Sequence, residues 1–332
     1  MKYVKYILTT IILVIVGILY EKYKEHDKND EEKNHYELVR QYLVNESSLA
    51  QSNLPILWIH IDYKINARYW PSFYSRNTTY LNQPYKYLTI KSIVDKCGNS
   101  FNICLIDDNS FKNILPDWNI NLDIVSNPIK ENLRKLALAK ILYTYGGMLL
   151  PSSFACFTNL ISMYNNGISG NCNPDCTAGS MFVGELLERD GTGPVDKEDF
   201  CPSTKMMGCQ KNCVMMSEYI NFLEVMNATD YTDASVFEGE DSLWCLDKIR
   251  QKQMTLIPSE MLGSRDINGN IITIEMLLGN SYIDLHDNVV GVYIPDEEIL
   301  RRTAYQWFAR LSAGQAITSN TMIGKYLTLC LG

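Results

Sequence analysis

The pattern of apolar and polar positions divides the chain early. Residues 6–20 (YILTTIILVIVGILY) carry no charge, and residues 3 and 4 lengthen the run to about 18 residues, enough for one helix across a thin bilayer. Lys2 and Lys5 precede it and no small-x-small cleavage site follows, so an uncleaved signal anchor is expected over residues 1–20. Residues 21–33 then mix acids and lysines without apolar periodicity, as a solvated stalk does, and residues 34–51 are expected to continue as a helix. Beyond this stalk-and-helix segment (21–53), residues 54–332 read as one soluble domain.

Within that domain the periods switch regularly. Residues 54–62 (LPILWIHID) form a β-rich apolar run. Pro84 opens a helix to about Cys97, with Tyr87, Leu88, Ile90, Ile93 and Val94 at helical spacing. Residues 101–106 (FNICLI) are a second strand, and Asn127-Pro128 opens a helix through Tyr145 with Leu133, Leu136, Ala137 and Ile141 on one face. Gly146-Gly147 stops that helix, and a short apolar strand, 148–150, follows. Strand, helix, strand, helix, strand predicts a mostly parallel α/β sheet with helices on its faces. Past Asn165 the signal thins. Turn-rich segments at 165–177 and 191–203 flank a strand-like 180–183, and residues 215–226, 241–252, 297–311 and 320–329 look helical.

Composition narrows the function without naming it. The chain has 332 residues, 46% hydrophobic and 20% charged, which suits one large α/β domain. A net charge of −8 with no basic run argues against nucleic-acid partners. Lysines flank the anchor on both sides (Lys2, Lys5; Lys22, Lys24, Lys28, Lys33), so the expected single-pass membrane protein has either a cytoplasmic or a Golgi-like luminal domain. Cys172, Cys176, Cys201, Cys209 and Cys213 cluster in a turn-rich region that admits a loose zinc site, disulfides or free thiols. Sequons at Asn45, Asn77 and Asn227 do not fix topology. No Walker loop, Gly-x-Gly-x-x-Gly, Gly-x-Ser-x-Gly or His-Glu-x-x-His occurs.

Four stretches in order, 54–62, 83–94 (QPYKYLTIKSIV), 101–108 (FNICLIDD) and 136–160, carry a likeness to a known group. Over roughly residues 54–165 the chain resembles the GT-A-fold glycosyltransferases of the capsular-polysaccharide-synthesis and DxD type. The resemblance implies a GT-A-like sheet with a nucleotide-sugar donor at the carboxyl ends of its strands, a glycan acceptor, and Mn2+ or Mg2+ held by carboxylates against the leaving diphosphate. The family pattern places an acid and an arginine in the helix before Gly-Gly and an acidic triplet after the next strand. Here those places hold Lys135 and Leu138, then Pro151 and Ser153. Ser153 could stand for the threonine of the capsular members, but Pro151 cannot bind a metal.

Donor contacts are therefore expected at Trp58, His60, Asp107, Asp108, Gly146, Gly147, Ser152 and Ser153, beside core packing for the aromatic residues and turn capping for the aspartates. Tyr63, Trp70 and Tyr74 extend the aromatic region. Glu238, Glu240 and Asp241 precede a helix, where Asp241 or Glu240 could act as general base or simply favour the helix dipole. His286 is a candidate metal ligand, since related transferases carry a late metal-binding histidine. A divalent cation then requires a non-standard site, or Arg134, Lys135 or Lys140 replaces it electrostatically. The expectation is a membrane-anchored, glycosyltransferase-like protein impaired in metal-dependent catalysis. The alternatives are a non-catalytic membrane-tethered scaffold or glycan-binding module, and a disulfide-rich luminal protein.

Overall fold

A computed structural model describes residues 39–44, 53–62, 83–127, 129–169, 181–186, 202–228 and 239–332. Two compact units divide the chain, Met1–Gln41 and Tyr42–Gly332, and everything below concerns the second. The expected anchor, Tyr63, Trp70, Tyr74, Glu238, Cys172, Cys176 and Cys201 lie outside the described residues. Among the described residues no helix is long and apolar enough to cross a membrane.

The first half follows its periodicity. Strand β1 (Ile56–His60) is buried at Leu57, Trp58 and Ile59 and leads through residues 61–84 to helix α1 (Tyr85–Cys97), with Pro84 as its N-cap. Strand β2 (Asn102–Ile106) and the short helix α2 (Phe111–Ile114) come next. A 3₁₀ turn (Leu122–Ile124) precedes helix α3 (Ile129–Tyr145), which buries Leu136, Ala137, Ile141 and Leu142. Strand β3 is Gly147–Leu149. Residues 43 and 44 are not helical as expected. Leu43 forms an antiparallel bridge with Cys104, and the Val44 N–H donates to the Ile103 carbonyl at 2.8 Å. The unpaired edge of β2 offers backbone groups that a continued helix would leave unmet.

The second half departs further. Strand β4 (Phe154–Cys156), helix α4 (Ile161–Ser169) and strand β5 (Phe182–Gly184) precede strand β6 (Ser203–Cys209), part of which reads as loop in sequence. Its STKMMGC stretch has no clean alternation because both faces are covered; Thr204 and the whole run 206–209 are buried. Gly208 is required there, since a Cβ would sit 2.5 Å from the Phe182 ring. Helices α5 (Val214–Ala228) and α6 (Glu240–Arg250), strand β7 (Thr255–Ile257), helix α7 (Ile274–Leu278) and strand β8 (Gly291–Tyr293) follow. The helix expected over 297–311 is two, α8 (Asp296–Arg301) and α9 (Gln306–Ala309), because Arg302 is extended. Helices α10 (Ala313–Thr318) and α11 (Met322–Leu331) end the chain.

The result is a mixed α/β fold with a mostly parallel six-stranded sheet flanked by helices. Strand order is β2-β1-β3-β6-β5-β7, and β6 alone runs against its neighbours. Strands β4 and β8 make a separate antiparallel pair. One core cluster covers the sheet through Leu57, Ile59, Ile93, Met148 and Phe182. A second joins α1 to the C-terminal helices through Tyr85, Phe308, Ile323 and Leu327.

The glycine pair sets the approach of β3 to β1. Gly146 has φ 72° and Gly147 φ 97°, and a Cβ on Gly147 would lie 2.0 Å from the Ile56 carbonyl oxygen. Gly147→Ala is expected to lower the unfolding free energy by about 3 kcal/mol or more, from strain and clash together. Gly269→Ala, with φ 77° and open space around it, should cost only about 1 kcal/mol. Urea midpoints of the two variants measure the difference.

Candidate functional site

Strand β1 connects onward to β2 on one side of it, and the chain then crosses to β3 on the other. Ligands of open α/β sheets bind where the order reverses, outside the carboxyl ends of the strands. That edge here presents Asp62 after β1, Asp107 and Asp108 after β2, and residues 151–153 after β3. Because β6 is antiparallel and Leu149 pairs with Met207, the amino-terminal residues Thr204 and Lys205 of β6 come to the same edge.

Arg134 of α3 organises the β1–β2 end. Its Nε donates to Asp108 Oδ1 at 2.7 Å, and one terminal nitrogen reaches both Asp108 Oδ2 at 2.7 Å and Asp62 Oδ2 at 2.8 Å. His60 Nε2 stands 2.9 Å from Asp108 Oδ1, Lys130 Nζ 3.4 Å from Asp108 Oδ2, and the His60 ring stacks on Phe111. Burial would raise the Asp108 carboxyl, but hydrogen bonds from His60 and Arg134 and the charge of Arg134 outweigh it and hold the group far below the usual carboxylate range. Burial, with Arg134 adding to it, lowers the His60 pKa below 6.5 against the opposing pull of Asp108. His60 is accordingly neutral at pH 7.

Around residues 151–153 the chemistry is different. Ser152 and Ser153 are buried. The Thr89 hydroxyl of α1 donates to the Ser152 carbonyl at 2.6 Å, and the Ser153 hydroxyl donates to Asp296 Oδ1 at 3.3 Å. The other oxygen of Asp296 is ion-paired with Lys86 of α1, and the neighbouring Glu297 holds Lys205 at 2.7 Å. Burial opposes ionisation of Asp296, but Lys86 and Lys205 together keep its pKa low.

The remaining expected residues are dispersed. Asp241, 5% exposed at the start of α6, accepts from Lys135 Nζ and from the Thr204 hydroxyl, both at 2.8 Å on one oxygen. Its pKa is lowered, burial being outweighed chiefly by Lys135. Glu240 precedes it in the first turn of the same helix. Trp58 is fully buried, its indole N–H donating to the Gly146 carbonyl at 3.0 Å and its ring packed 5.8 Å from Tyr145, so it joins β1 to the end of α3. Asp107 caps the turn into α2, accepting from the Ser110 N–H at 2.9 Å and the Ser110 hydroxyl at 2.6 Å. His286 Nε2 is 3.1 Å from the Asp266 carbonyl in a separate loop pair.

Four of the expected residues thus fall into separate clusters: Asp108 with Arg134, Ser153 with Asp296, Asp241 with Lys135, and His286 with Asp266. Among the described residues no three His, Cys, Asp or Glu side chains converge as a metal ion needs. The described residues do not fit Mn2+ or Mg2+. Of the cations expected to replace the metal, Arg134 and Lys135 are paired as above and Lys140 is held by Glu224 at 2.6 Å. The buried Cys97 and Cys156 are thiols with their sulfurs 3.9 Å apart.

Asp62, Lys86, Thr89, Lys205 and Asp296 carry this edge without having been expected there. Asp62 had a signal, as the last residue of the first apolar run. Asp296 had none, lying 210 residues from Lys86.

No family model, curated protein or solved structure matches the chain.

Two outcomes follow from the Arg134 cluster. Arg134→Met leaves Asp62 and Asp108, both about one-sixth exposed, without their guanidinium and should cost about 3 kcal/mol in urea unfolding. For His60 the folded pKa lies below the unfolded 6.5, so the unfolded chain binds the proton first. Its contribution is intact above pH 6.5 and is lost as pH falls from there through the folded value. His60→Gln should flatten this part of the stability–pH curve relative to wild type, with Asp62, Asp108, Arg134 and Lys130 still in place.

Proposed function

We propose that the chain is a glycosyltransferase-like protein with a GT-A-like domain that does not carry out metal-dependent sugar transfer. What supports the reading is that the charges along the carboxyl edge are matched within the chain. Arg134 serves Asp62 and Asp108, Lys86 serves Asp296, Lys135 serves Asp241 and Lys205 serves Glu297. A departing diphosphate needs a divalent cation or cations able to turn toward it. Arg134, Lys86 and Lys135 would each abandon a carboxylate largely withdrawn from water to do so, and leaving a buried charge unpaired costs several kcal/mol; only Lys205, paired with the exposed Glu297, would not. Pro151 and the buried Ser153, in the places of the family's acidic triplet, point the same way.

A non-catalytic, glycan-binding use of the same domain is the second reading. An open cleft beside Asp108, with the amides Asn109, Asn119 and Asn121 in its lining, favours it.

Calorimetric titration of the full-length chain in detergent micelles with UDP- and GDP-sugars, with and without Mn2+, tests the first reading. The expected result is no Mn2+-dependent heat of donor binding. A Kd that tightens tenfold or more on adding Mn2+, about 1.4 kcal/mol, would sink it.

A further inference from the structure

Between the end of β2 and the 3₁₀ turn lies a cleft of about 460 Å³, bordered by Asp108, Asn109, Lys112 and residues 118–123. The Arg134 cluster engages both oxygens of Asp108. The rest of this lining has no part in the ion pairs described above.

Its chemistry is specific. Asn109, Asn119 and Asn121 bring three side-chain amides. Asn109 Nδ2 donates to Asp107 Oδ2 at 3.4 Å and Asn121 Oδ1 accepts from the Asp123 N–H at 3.0 Å, which leaves the Asn109 oxygen, the Asn121 amide nitrogen and both groups of Asn119 for a ligand. Asn119 and Lys112 are exposed and make no hydrogen bond or ion pair among the described residues. Trp118 is 6% exposed, packed edge-on against Phe111, and its indole N–H has no partner. An unpaired buried donor in the wall of a cleft is relieved when a ligand oxygen reaches it. Ile120, 40% exposed, and the buried Leu122 add apolar surface between the amides. The charges nearly cancel, with Asp108 neutralised by Arg134 and Lys130, and one cation, Lys112, and one anion, Asp123, in the rest of the lining.

Amides that both donate and accept suit hydroxyl groups, which do the same. Aliphatic side chains between them suit the C–H face of a sugar ring. A charge-balanced lining gives a phosphate no net attraction. The volume suits a small ligand, on the order of one or two sugar rings. We infer that this cleft binds a neutral saccharide. This rests on the glycan-binding reading for the class of ligand, and on the cleft's own lining for the place.

The full-length chain, labelled with 15N on its tryptophan indoles, is titrated with methyl glycosides of glucose, galactose, mannose and N-acetylglucosamine and, separately, with inorganic phosphate. Trp118→Phe assigns the Trp118 resonance. The inference expects one glycoside to shift that resonance saturably, phosphate to leave it unmoved, and Asn119→Ala, an exposed change, to weaken the glycoside about fivefold, the loss of roughly one hydrogen bond. A glycoside that binds by calorimetry without moving the Trp118 resonance, or equally well in Asn119→Ala, would overturn the cleft and leave the glycan-binding reading standing. Absence of binding by all four glycosides would overturn both. A saturable response to phosphate alone would replace the saccharide with an anion.

Discussion

The guanidinium of Arg134 is the point on which the carboxyl edge of the sheet depends. It stands where β1 and β2 end, and without it two carboxylates, Asp62 and Asp108, would face each other at the mouth of a parallel sheet. Like charges brought this close and partly desolvated repel strongly, and one would have to take up a proton. With Arg134 present Asp108 stays ionised, His60 settles neutral against it, and Lys130 stands 3.4 Å from its second oxygen. Helix α3 is thereby tied to the two strands before it, and the fold of the β1–β2 end follows from one side chain.

Its neighbour divides the labour. Successive residues on an α-helix point about 100° apart, so Lys135 turns away from Asp62 and Asp108 and meets Asp241, whose same oxygen accepts from Thr204. Lys86 performs the corresponding service for Asp296, beside Ser153. Separate ion-paired clusters around Arg134, Lys135 and Lys86 thus occupy an edge where sheets of this kind usually receive a ligand. Such pairs contribute specificity of arrangement more than stability, because each charge gives up water to form them. The edge is well determined and internally satisfied, and the polar groups still unengaged nearby are in the cleft around Asn119.

Much of the first half could be read before any coordinates. Apolar spacing, Pro84 and the glycine pair located β1, α1, β2, α3 and β3 to within two residues, since each is an element whose buried face repeats at its own period. Strand β6 escaped because it is covered on both faces and carries methionine, lysine and glycine, which have little strand preference of their own. The short β4 and β8 escaped because three residues show no period at all. At the site, Asp108, Ser153 and Asp241 could be singled out as polar residues at element ends. Arg134 and Lys135 stand out only as possible substitutes for a metal and Asp296 not at all; the pairings themselves span 26, 106 and 143 residues, and nothing local marks them.

The single antiparallel strand has a consequence for how the molecule comes together. Strands β1, β2 and β3 can pair once residue 149 is present, and β5 and β7 pair with each other directly. The two groups touch within the sheet only through β6, which is hydrogen-bonded to β3 on one side and β5 on the other. The sheet is therefore two half-sheets and a keystone. The keystone also carries Thr204 and Lys205, so the Thr204 hydrogen bond to Asp241 and the Lys205 ion pair to Glu297 require β6 in place. Completion of the edge and closure of the sheet are one event.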